Sequence, residues 1–145
     1  MAGTQKKTAS YDGFTEDERG AMKERAKELK SKRGKVDEEE AQLAKIAEMP
    51  DDERAMAERI HAIVKENAPE LTAKTWYGMP GWAKDGKVVV FFQNAGKFKA
   101  RYNTLGFNET AHLDDGALWP VAYALTELTP AVEKQIIALV RKAIG

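Results

Sequence analysis

The chain predicts an α+β domain in which a mostly antiparallel sheet of four to five strands packs against helices. Three observations lead there. The span from Trp76 to Tyr123 holds all three tryptophans, three of the four tyrosines and four of the five phenylalanines. Glycine turns punctuate that span at Gly78, Asp85-Gly86, Asn94-Ala95-Gly96 and Asp115-Gly116. Aromatic and β-branched runs between such turns are the mark of consecutive strands. The third observation is that helical apolar spacing appears on either side of this span, and helices followed by strands and a helix give an α+β pattern.

The elements follow in order. Met1 to Gly13 is polar and aperiodic, so residues 1–13 are expected to form a disordered tail. Thr15 with Glu18 makes a capping box and opens a helix predicted to reach Leu29 or Lys30, with only Met22, Ala26 and Leu29 along its apolar stripe. Residues 14–35 are therefore set apart as an N-terminal helical extension to a domain spanning 36–145. Asp37 with Glu40 repeats the capping pattern ahead of a short helix carrying Leu43, Ile46 and Ala47. Pro50 suits the first turn of a third helix, and Met56, Ile60, Ile63 and Val64 give that helix a core face. Leu71 to Tyr77 is a first strand, broken by Gly78 and Pro80. Asp85-Gly86 predicts a two-residue hairpin, and Val88 to Phe92, apolar on both faces, is a central covered strand. Phe98, Ala100 and Tyr102 alternate with Lys97, Lys99 and Arg101, which predicts a half-buried strand. Leu118 to Leu125 is an edge strand marked by Pro120. Thr129-Pro130 opens a last helix whose Val132, Ile136, Ile137, Leu139, Val140 and Ile144 should lie across the sheet.

Composition removes several function classes. With 145 residues the chain is one domain's worth. There is no cysteine, hence no disulfide, thiolate nucleophile, cysteine-held zinc or iron–sulfur cluster. No apolar stretch reads as a signal peptide or a membrane span, and the expected compartment is the cytoplasm. Formal net charge is zero but unevenly spread: residues 1–35 carry ten Lys/Arg against six Asp/Glu, residues 36–70 four against eleven, and residues 71–145 nine against six. A neutral total argues against nucleic acid as a partner. No dinucleotide fingerprint, phosphate loop or nucleophile motif is present, so no catalytic residue is assigned and the chain reads as a binding protein.

Five groups of residues are candidates for chemistry. Glu38, Glu39, Glu40, Glu48, Asp51, Asp52 and Glu53 offer carboxylates, which suit a hard cation, although several sit where helix starts favour acids anyway. His112 with Asp114 and Asp115 has the composition of an iron triad and equally that of an Asp-Gly turn. His61 falls beside the core stripe of the third helix and reads as a boundary residue. Lys97, Lys99 and Arg101 form a basic stripe that fits the wet face of a strand. Trp76, Tyr77, Met79, Trp82 and Trp119 are aromatic and apolar material for a ligand pocket, or for core packing around a tight turn.

Tyr77-Gly78-Met79-Pro80, the strand Gly86-Lys87-Val88-Val89-Val90-Phe91-Phe92, and Leu113-Asp114-Asp115-Gly116 followed by Trp119-Pro120 resemble the YdhG-like domain family. The resemblance runs from about Leu43 to the C-terminus, within the domain 36–145. It implies a frataxin-like sandwich and, through members regarded as iron chaperones, iron as a cargo and an iron-acceptor protein as a partner. On that implication Glu38, Glu39, Asp51, Asp52 and Glu53 would carry the metal. The aromatic turn would meet the partner. Two other readings stay open: a small organic ligand walled by Trp76, Trp82 and Trp119, and a protein-interaction module using the N-terminal helix.

Overall fold

The structure, a computed structural model, describes residues 17–23 and 35–145. Residues 17–23 are helical (α1). Then come α2 (Lys35–Ala47), α3 (Asp51–Asn67), β1 (Thr72–Trp76), β2 (Met79–Lys84), β3 (Lys87–Gln93), α4 (Ala95–Phe98), β4 (Asn103–Phe107), β5 (Ala122–Leu125) and α5 (Pro130–Ala143). The five strands form one antiparallel sheet in the order β1-β2-β3-β4-β5, so the expected α+β class holds and β3 is the central strand. The predicted tail at 1–13 lies outside the described residues, as do Ala26 and Leu29 of the first helix's stripe. Among the described residues no helix is long and apolar enough to cross a membrane.

Two tight turns shape the first half of the sheet. Tyr77 and Gly78 both have positive φ, 54° and 76°, as do Asp85 and Gly86, 53° and 81°. Two consecutive left-handed residues are what a two-residue hairpin requires, because that turn matches the strands' twist. The second hairpin agrees with expectation. At the first, where the sequence puts Tyr77 in a strand ending at a Gly78 turn, Tyr77 and Gly78 together form the two-residue turn that joins β1 to β2. Pro80 sits inside β2 opposite Thr75. A bulge follows, where Trp82 pairs with Val90 but Ala83 with Val88, leaving Val89 as the extra residue.

The alternation of the strands then separates two faces. Trp82, Val90, Phe92, Leu105, Phe107 and Leu125 face the helices, where they pack with Ile46 of α2, Met56, Ile60, Ile63 and Val64 of α3, and Ile136, Val140 and Ala143 of α5. The α3 core face matches its predicted stripe. Thr129 Oγ1 accepts from Val132 N at 3.2 Å, which caps α5 as expected. Arg59 of α3 donates to Glu133 Oε1 of α5 from Nε and Nη2, at 3.1 and 3.0 Å, and ties the two helices together.

Three local expectations need correction. The helix α2 begins at Lys35, so Asp37 lies in its first turn and is not its cap. Among residues 37–47 its buried positions are Gln42 and Ile46, while Leu43 is 41% exposed and Ala47 faces solvent. Gln42 Nε2 donates to the carbonyls of Lys74 and Gly81, at 3.0 and 2.8 Å, so a polar side chain anchors this helix above the β1–β2 ladder. The second correction concerns the basic segment. Lys97 to Tyr102 is not a strand: it forms the one-turn α4 and a left-handed Lys99 (φ 54°), and β4 starts only at Asn103. Long-range bonds impose that turn. Glu53 accepts from Asn94 Nδ2 and Gly96 N at 2.9 and 3.0 Å, and Asn103 Oδ1 accepts from Ala95 N at 2.7 Å. The third is the last strand, which is confined to Ala122–Leu125 and leaves Leu118, Trp119 and Pro120 in the preceding loop.

Candidate functional site

The carboxylates proposed for a metal do not converge. Glu39 Oε2 meets His61 Nε2 at 2.9 Å and Lys65 Nζ at 2.8 Å. Glu38 lies 3.9 Å from Lys74 Nζ. Asp51 accepts from Arg54 at 2.8 Å, and Asp52 accepts from the Glu53 amide at 2.9 Å. Glu53 is committed to the α4 turn. Glu48 sits 3.8 Å from Lys45. Asp51 and Asp52 serve the start of α3, while Glu38, Glu39 and Glu53 are held by ion pairs or backbone amides of other elements. Among the described residues no three His, Asp or Glu side chains come together as a metal site. His112, Asp114 and Asp115 are likewise exposed and dispersed. His112 borders an open cleft of about 480 Å³ with Lys84, Glu109 and Ile144.

His61 is buried, against expectation, and links three elements. Trp82 Nε1 donates to its Nδ1 at 3.1 Å, so the neutral ring carries its proton on Nε2 and donates to Glu39. The Lys65 hydrogen bond, with His61 contributing, holds the Glu39 carboxyl below the ordinary value of 4.5. A depressed carboxylate stabilises the fold above its unfolded value. That contribution is lost as pH falls through the lower folded value. Glu39→Gln should therefore flatten the acid limb. Urea midpoints of the wild type should fall more steeply below about pH 4.5 than those of the variant, and parallel curves would refute the linkage.

The aromatic candidates divide between the two faces of the sheet. Trp82 is 1% exposed and belongs to the core under the helices. Trp76 pairs with Met79 across the hairpin, and Met79 is three positions from Trp82, so Trp76 and Trp82 point to opposite faces. Trp119 is half-buried against the helix-side core. No common pocket is walled by the three tryptophans. What does assemble is an aromatic group on the outer face, at the Tyr77-Gly78 end. Trp76 stands edge-on to Tyr77 with centroids 4.9 Å apart, and tilts against Phe91 at 5.0 Å. All three rings are only half-buried. Beneath them lie Met79, Gly81, Val88 and Gly106. The sheet admits the rings because Gly106 has no side chain: a Cβ there would stand 2.2 Å from Phe91 Cζ. Phe91 was missed as a site residue because its strand is apolar on both faces. The signal available was Gly106, a glycine inside a strand, which marks a close approach.

Beside this group is a cleft of about 310 Å³, bordered by Gly78, Asn94 and Lys97 on the sheet side and Glu48, Met49 and Pro50 on the helix side. Lys97 and Arg101 lie over the rings of Phe98 and Tyr102, at 5.8 and 5.1 Å from their centroids. The same end of the sheet thus presents half-buried aromatic rings with a cationic border. Comparisons of the chain with family profiles, with curated proteins and with solved structures find no match.

Proposed function

We propose that this chain is a non-catalytic binding domain that docks a partner protein on the outer sheet face at Trp76, Tyr77 and Phe91. The observation that carries this reading is the contact of three half-buried rings on the face away from α2, α3 and α5. Tryptophan and tyrosine are enriched among residues that dominate protein interfaces, because a large rigid ring loses little freedom when covered. Small-molecule sites are concave, whereas this surface is a sheet face with a modest cleft at its rim. The cationic border favours an acidic segment of the partner. The resemblance to YdhG-like domains supports a binding role. Iron carriage, which that resemblance also implies, draws no support from the dispersed carboxylates.

Paired affinity capture tests the reading. Wild type, Trp76→Ser and a control, Glu109→Ser at the opposite end of the sheet, would be compared after circular dichroism confirms that each is folded. Proteins held by wild type and by the control, but lost with Trp76→Ser, are the expected result. Identical captures from all three would refute it. Quenching of tryptophan emission by an organic compound, with no protein captured, would transfer the surface to a small ligand.

A further inference from the structure

Among the described residues β5 has one neighbour, β4, and its outer edge ends the sheet. The opposite edge is guarded differently. Gln42 of α2 bonds to the β1–β2 ladder from above, and Lys74 of β1 pairs with Glu38 of that helix. Residues 117–126, by contrast, contain no charged side chain. Leu118 is 91% exposed and Val121 44% exposed within this stretch. Native sheets protect an open edge with short strands, charge, bulges or proline. β5 is short, at 4 residues, and Pro120 stands just before it, but no charge, bulge or proline lies within Ala122–Leu125.

The register says which backbone groups are left unpaired. Phe107 N donates to Val121 O at 2.7 Å. Bonded pairs in an antiparallel ladder recur every second residue, so Tyr123 and Leu125 turn their amides inward to Leu105 and Asn103. Ala122 and Ala124 consequently project their N–H and C=O groups outward, and both are exposed.

We infer that this edge pairs with the same edge of a second copy of the chain, joining two sheets across a twofold axis at Tyr123. The occupant follows from self-complementarity. An antiparallel β5–β5 pairing centred on Tyr123 sets Ala122 opposite Ala124 of the second copy, and Ala124 opposite Ala122. Both positions are outward-facing, so this register closes the ladder, whereas one centred between two residues would set outward groups against inward ones; a centre at Ala122 would also pair, but it sets Ala124 against Pro120, which has no N–H. The same register lays Val121, 44% exposed, beside the already buried Leu125 of the second copy and covers the Val121 side chain. No like charges meet, since the stretch has none and the chain's net charge is zero. An acidic or basic peptide would find no counter-charge along this edge. The surface is separate from the Trp76 end, so its test stands apart from that of the proposed function.

Sedimentation of the full chain across micromolar to millimolar concentration tests the inference, with two variants. Ala122→Lys/Ala124→Lys sets lysines directly opposite across the axis. Ala124→Pro removes one outward N–H and leaves the β4 ladder intact, because that amide does not bond to β4. A wild-type species of twice the 16.1 kDa chain mass, reduced to a monomer by either variant with an unchanged circular dichroism spectrum, is the expected result. Slowed amide exchange at Ala122 and Ala124 in the associated state alone would locate the contact. A wild type that stays monomeric throughout, or a dimer indifferent to folded double-lysine protein, would overturn it.

Discussion

Trp82→Ala should cost about 3–5 kcal/mol of stability, the range for deleting a large ring from a packed core. At this chain length that lowers the melting temperature by roughly 10 °C or more. Two separable causes contribute. The indole is 1% exposed and fills the space between the sheet and α3, so its removal leaves a cavity. Its N–H also satisfies His61 Nδ1 at 3.1 Å. Trp82→Phe separates the two, since a phenyl ring keeps much of the volume and removes only the donor. The buried nitrogen left without a partner should then cost about 1–3 kcal/mol. A cycle with His61→Phe should return a coupling of about 0.5–3 kcal/mol. If Trp82→Ala melts with the wild type, the ring is not in the core.

Gly106→Ala should change sign with its background. In the wild type the new methyl would meet the Phe91 ring, whose three nearest carbons lie 2.2, 2.6 and 2.8 Å from the Cβ position. The ring must move, at a cost of about 1–3 kcal/mol. In Phe91→Ala the obstacle is gone. There the same substitution should stabilise by about 0.5–1 kcal/mol, because glycine inside a strand loses more freedom on folding than alanine. Urea denaturation of the four proteins in the cycle reads both effects. The same sign in both backgrounds would mean that the ring does not rest on Gly106. The displaced ring would also disturb its contact with Trp76, so, if the proposed docking holds, Gly106→Ala and Trp76→Ser should both weaken partner capture.

Much of the fold was legible wherever a local rule acts alone. Asp85-Gly86 needs no help to form a left-handed turn, and Thr129 caps α5 by reaching only three residues ahead. Met56, Ile60, Ile63 and Val64 announce a buried stripe through spacing alone. Errors arose where distant groups decide. The Lys97–Tyr102 alternation reads as a strand, but Glu53 and Asn103 bind the backbone of residues 95 and 96 and hold a helical turn there. Gly78 signals a turn, but Tyr77-Gly78 lacks the Asn or Asp that marks a two-residue hairpin, so the sequence alone leaves Tyr77 in the strand before it. The buried role of Gln42 follows from two carbonyls of β1 and β2, which no pattern within α2 reveals.

The amino-acid order by itself determined the class, the central strand and the core faces of α3 and α5, because alternation and helical spacing are properties of neighbouring residues. It also supplied the aromatic and acidic residues from which a site would be chosen. Only the tertiary structure decided their grouping. Hairpin parity sent Trp76 and Trp82 to opposite faces, the missing side chain of Gly106 made room for Phe91, and cross-element ion pairs and caps spread the carboxylates apart. Convergence in space depends on registers and contacts between residues far apart in the chain, and a one-residue change of register reverses which side chains meet.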